Sequence, residues 1–106
     1  MSTNTIFEDI EWKDQGYYLT DVKQKTLWVD EEIGATWALM KFPPGVLDRK
    51  YIHPKANQLT CPMTGPYAGK VFRIVEKGEP HGGDDIKEET LVLFFWDGPP
   101  DSEVIE

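Results

Sequence analysis

The chain has 106 residues, a formal charge of −8 and a pI near 4.7, with 40% hydrophobic and 12% aromatic residues. That length supports one core rather than two, and that apolar content argues against disorder. The acidic balance argues against nucleic acid or an anionic membrane surface as partner, since phosphate binding needs a basic footprint.

The N-terminal arm, residues 1–16, is polar with apolar anchors at Ile6, Phe7, Ile10 and Trp12. Asp14-Gln15-Gly16 reads as a turn, and the arm is expected to hold a short strand or helical turn docked on the body of the protein. The start Met-Ser-Thr-Asn-Thr carries no basic region or apolar run, and no stretch approaches the roughly 20 apolar residues of a membrane span. Cys61 is the only cysteine, so no internal disulfide forms. These features together lead to the expectation of a cytoplasmic protein.

From Tyr17 the pattern turns to β, and residues 17–98 are assigned to the barrel domain. Residues 22–29 form a strand candidate, and Asp30-Glu31-Glu32-Ile33-Gly34 is an acidic turn closed by glycine. Ala35 to Phe42 is a nearly continuous apolar run, the signature of a strand buried on both faces. Pro43-Pro44-Gly45 ends it. Further strands are predicted over 57–64, 70–75 and 90–96, the last ending at Asp97-Gly98-Pro99-Pro100. Residues 99–106 form an acidic tail with Val104 and Ile105 available to tuck back. No helical period extends over 11 residues, and the short punctuated strands predict an all-β fold, a sandwich or barrel.

Both histidines lie between Gly45 and His81, and the residue spacing there is specific. Gly45 is followed by five residues, then Tyr51-Ile52-His53, then Gln58 and Gly65. This resembles the first motif of the cupin family: glycine, five residues, His-x-His, three or four residues, Glu, six residues, glycine. Tyr51 replaces the first histidine and Gln58 the glutamate. Glu76-Lys77-Gly78-Glu79-Pro80-His81 resembles the second motif, Pro-x-Gly-x-x-His, with Glu76 for the proline; Gly69 and Asp85 stand near its outer positions. The stretch Pro66 to Ala68 between the motifs is short for the family, so part of one sheet is expected to be trimmed. The flanking strands and the closing Leu93-Phe94-Phe95-Trp96-Asp97-Gly98-Pro99 resemble the subgroup of anti-sigma-factor sensor domains and β-diketone-cleaving dioxygenases.

The resemblance covers residues 27 to 99 and implies a cupin-type jelly-roll β-barrel. It implies a divalent transition metal (Fe, Mn, Ni, Cu or Zn) held by His53, Gln58 and His81, with Tyr51 as an additional ligand or wall residue. Dioxygenase-like or lyase-like chemistry on a small organic acid or diketone follows from the resemblance. Trp37, Met40, Phe72 and Phe94 are expected to line the pocket. A non-catalytic barrel that binds a small ligand or a partner, and a structural homodimer, stand as alternatives. Without the motif, His53 beside Pro54 reads as a half-exposed strand histidine and Cys61 as a small buried hydrophobe.

Overall fold

The computed structural model describes residue 2 and residues 4–15, 21–45, 50–82 and 86–105. Gly16, the start of the barrel at Tyr17, and the loop acids Asp84 and Asp85 lie outside the described residues.

Among the described residues, a 3-10 turn at Phe7–Asp9 is followed by eight strands: β1 (Lys13–Asp14), β2 (Lys23–Val29), β3 (Thr36–Phe42), β4 (Tyr51–Ile52), β5 (Gln58–Pro62), β6 (Arg73–Val75), β7 (Thr90–Trp96) and β8 (Glu103–Val104). The long strands coincide with the runs of β-branched and aromatic residues, which suit a pleated surface. Strands β5 and β6 are shorter than the 57–64 and 70–75 runs. Strand β5 ends at Pro62, and just beyond it Met63 N still donates to Leu91 O at 2.8 Å.

Six strands form one antiparallel sheet in the order β1-β2-β3-β7-β5-β6, and β4 and β8 form a second, two-stranded sheet. The β2–β3 hairpin closes over the acidic turn, with Gly34 N donating to Asp30 O at 2.7 Å and Glu32 N to Asp30 Oδ1 at 3.0 Å. Strands β3 and β7 then pair in unbroken register from Thr36↔Trp96 to Phe42↔Thr90. This joins the chain's two most apolar segments at the centre of the sheet. The arm and the tail each contribute a short strand: β1 extends the large sheet beside β2, and β8 pairs with β4.

Strand alternation divides the large sheet into two faces. Ala38, Met40, Phe42, Phe94 and Trp96 point inward and, with Val22 and Ala56, form the core cluster. Full burial of each large member contributes about 1.5–3 kcal/mol. Trp37, Leu39, Leu93, Phe95, Leu59 and Ile74 occupy the outer face by the same registers. The prediction that 35–42 is buried on both faces therefore holds at Leu39, which is 3% exposed, and not at Trp37, which is 40% exposed. Among the described residues, the outward side is covered where the N-terminal arm reaches it: Lys25, paired with Leu39, donates to Phe7 O at 2.7 Å, and Trp12 receives the ammonium groups of Lys25 and Lys41 on its ring.

Candidate functional site

The two histidines meet because the second motif folds back onto the first. Glu76-Lys77-Gly78-Glu79 is a β-turn, with Glu79 N donating to Glu76 O at 2.9 Å and Gly78 at φ 78, a conformation glycine adopts without strain. Gly78 N bonds His53 O at 3.0 Å, and Lys77 N bonds Asn57 Oδ1 at 2.7 Å. His81 then forms a two-bond antiparallel bridge with Tyr51: Tyr51 N donates to His81 O at 2.9 Å, and His81 N to Tyr51 O at 3.0 Å.

Tyr51, His53, Gln58 and His81 are all buried. The His53 and His81 ring centroids are 4.9 Å apart, and Tyr51 packs against both at 5.2 and 4.3 Å. His53 Nε2 lies 2.9 Å from Gln58 Oε1, and Trp96 Nε1 donates to the same oxygen at 3.0 Å. An indole N–H can only donate, so Gln58 turns its oxygen rather than its amide nitrogen toward Trp96. With its proton on Nε2, His53 donates to Gln58 and leaves Nδ1 to accept from the Ser102 hydroxyl. Its Nδ1 faces the C-terminal segment, 3.3 Å from Ser102 Oγ and 3.2 Å from Asp101 O. Burial pushes the His53 pKa below its ordinary value, outweighing its hydrogen bonds to the Asp101 carbonyl and Gln58, and favours the neutral ring.

A cavity of about 680 Å³ opens between the inner face of the large sheet and the Tyr51–His81 bridge. Tyr51, Gln58, Thr60 and His81 contribute its polar groups, and Phe42, Ile86, Val92 and Phe94 its apolar walls. Arg73, Lys87, Glu88 and Tyr67 line it and are exposed, marking the mouth. His53 does not reach the cavity wall; it sits behind Gln58, 2% exposed. Of the four aromatic and apolar residues expected to line the pocket, Phe94 does so. Met40 is packed into the core cluster, and Trp37 and Phe72 do not contribute. The reason for Trp37 is parity: it pairs with Phe95 rather than Phe94, and so faces outward.

The chemistry of the donor set decides which divalent metal it suits. Among the described residues no group of three or more His, Cys, Asp or Glu side chains is placed to hold an ion, and the donors that meet here are two imidazoles and an amide oxygen beside the Tyr51 ring. Both rings suit that role in one respect. His81 Nδ1 faces the Glu79 carbonyl at 3.2 Å, as His53 Nδ1 faces the Asp101 carbonyl, and a carbonyl at Nδ1 holds the proton there and frees Nε2 as a ligand. His53 satisfies this only after its proton moves from Nε2 to Nδ1. The set thus fits an N/O-preferring ion, without a carboxylate among the described residues to offset its charge.

Trp96, Ser102 and the Asp101 carbonyl were not foreseen. Trp96 was legible in principle, because it lies two residues beyond Phe94 on the same face of β7. Ser102 carried no signal, since only the β4–β8 pairing brings it to His53.

No protein-family model matches the chain, and no curated protein matches it in sequence. Solved structures do match in shape. A putative acetylacetone dioxygenase from Methylibium petroleiphilum superposes with a TM-score of 0.74 at 12% identity, covering 100% of this chain and 82% of the other. A cupin-like protein from Thermotoga maritima superposes with a TM-score of 0.54 at 20% identity, covering 96% of this chain and 89% of the other. At these identities the likeness shows the fold alone, an all-β barrel of the cupin type.

Proposed function

We propose that this barrel binds a small organic acid or β-diketone in its cavity and holds a divalent transition metal at the inner end of that cavity, where His53, His81 and Gln58 converge. The observation that carries the reading is the convergence of Tyr51, Gln58 and His81 on the cavity wall, with His53 bonded directly behind Gln58. The apolar walls suit a small carbon skeleton, and Arg73 and Lys87 at the mouth suit a carboxylate or enolate. A bound ion would supply Lewis-acid polarisation of a substrate carbonyl or activation of dioxygen at this wall.

The chain's own residues have definite parts. His81, with its Nδ1 proton directed at the Glu79 carbonyl, presents Nε2 as a ligand or proton acceptor. Trp96 holds Gln58 Oε1 in place, and Tyr51 packs the two imidazoles against one another. Phe42, Val92 and Phe94 exclude water from the inner end of the cavity.

The test is elemental analysis and calorimetric titration with Fe(II), Mn(II), Ni(II), Cu(II) and Zn(II) on protein purified without a histidine tag. One equivalent of at least one metal, lost in His81→Ala, is the expected result, together with metal-dependent dioxygen uptake or cleavage on adding a β-diketone. Less than about a tenth of an equivalent after reconstitution sinks the metal assignment. One observation favours a second reading, a ligand-binding barrel that takes no metal: Gln58 Oε1 already accepts hydrogen bonds from both Trp96 and His53. Under that reading small-acid binding persists unchanged in chelator.

A further inference from the structure

The outer face of the six-stranded sheet carries a row of apolar side chains that no part of the described chain covers. The registers set Trp28 opposite Trp37, Trp37 opposite Phe95, Phe95 opposite Leu59 and Leu59 opposite Ile74. The row crosses five strands, about 19 Å at roughly 4.8 Å per strand. Trp28, Trp37 and Ile74 are 56%, 40% and 54% exposed, and the Trp37 and Phe95 rings are 4.7 Å apart. A β-bulge creates the start of the row. The register shifts between Thr26 and Trp28, so that Trp28 rather than Leu27 stands opposite Trp37.

We propose that this face is the interface of a homodimer, with the same sheet of a second copy packed against it. Three observations specify that occupant. The first is area. With Phe72, two residues before Ile74 and 58% exposed, the face offers roughly 500–600 Å² of apolar surface, or roughly 1,000–1,200 Å² across a pair. That is at the upper end of the largest apolar patch on a typical monomer, and the pair reaches the size expected of a specific interface.

The second observation is charge. The chain carries −8, yet the five-residue row contains no ionisable side chain. Self-pairing places neutral surface on neutral surface and leaves the acids at the rim, where Glu76 and Asp97 continue the outward positions of β6 and β7. The third is the contrast within β3 itself. Leu39 lies on the same face as Trp37 and is 3% exposed, because there the N-terminal arm reaches Lys25 and Lys41. The arm covers one corner, and a flat sheet of equal chemistry, packing about 10 Å away, covers the remainder.

The experiment is sedimentation velocity on the full chain from about 1 to about 100 μM, a range that brackets a stable dimer of this area. The expected mass is about 24 kDa, twice the 12.2 kDa chain. Trp37→Lys and Ile74→Lys should each raise the dimer dissociation constant about tenfold or more, with far-ultraviolet circular dichroism retained to show that the barrel still folds. Ile33→Lys, at an equally exposed position in the β2–β3 turn, should leave the mass unchanged. A wild-type chain that stays monomeric at the highest concentration overturns the proposal, as does an unchanged dimer in both face variants or its loss in Ile33→Lys.

Discussion

At the scale of single residues, the decisive atom is Gln58 Oε1, between an indole and an imidazole. Trp96 sets the orientation of the amide, and the amide then sets the tautomer of His53. In metal-free protein near neutral pH, nitrogen-15 NMR should find the His53 proton on Nε2. Trp96→Phe removes the indole donor while keeping most of the ring volume. It should cost about 1–3 kcal/mol by urea unfolding and allow the Nδ1–H tautomer to appear. A His53 ring that is Nδ1–H in the wild type, or is untouched by Trp96→Phe, contradicts this arrangement. Saturating the protein with metal should produce the reverse tautomer, because a ligand ring must keep its proton on Nδ1, toward the Asp101 carbonyl.

At the scale of elements, the site depends on two short connections more than on the long strands. The Glu76–Glu79 turn delivers His81 to Tyr51, and Gly78 at φ 78 is its pivot. An alanine there meets no neighbouring atom within 4 Å, so its cost is conformational: about 1 kcal/mol for a left-handed backbone position. Gly78→Ala should therefore lower stability modestly and weaken metal or ligand binding more than it weakens folding. Equal proportional losses in both would show that the turn does not position His81. The second connection is the run past β7. Gly98 passes so close to the Lys55 carbonyl that a Cβ would lie 2.6 Å from its oxygen, and this approach holds the end of β7 against the loop after His53. Beyond it, β8 pairs with β4 and brings Asp101 and Ser102 to the His53 ring. The tail is thus a structural partner of the candidate site.

At the scale of the whole molecule, the buried His53 ties global stability to pH. Its folded pKa is depressed by burial, so below the ordinary value of about 6.5 the unfolded chain binds a proton that the folded chain refuses. The stability from the neutral ring is present above about pH 6.5 and is lost as the pH falls through the folded pKa. In metal-free protein, the His53 ring signal should titrate below about 6.5, and the urea midpoint should fall between about pH 7.5 and pH 5.5. A ring that titrates at or above its ordinary value contradicts the burial argument.

Much of this protein was written in local sequence. The strands at 23–29, 36–42 and 90–96 follow from runs of apolar and β-branched residues, and the Asp30–Gly34 turn follows from its chemistry, because both are short-range effects. The spacing from Gly45 to His81 located Tyr51, His53, Gln58 and His81, and these four do meet. Only the tertiary structure decided what surrounds them. Pairing between distant strands placed Trp96 on Gln58 and Ser102 on His53, and contacts 38 and 49 residues apart leave no local trace. Register decided that Trp37 faces outward while Phe94 lines the cavity, and a one-residue bulge at Leu27 added Trp28 to the exposed row. A side-chain period of two makes each such choice depend on a single residue of register, and that register is set by the partner strand.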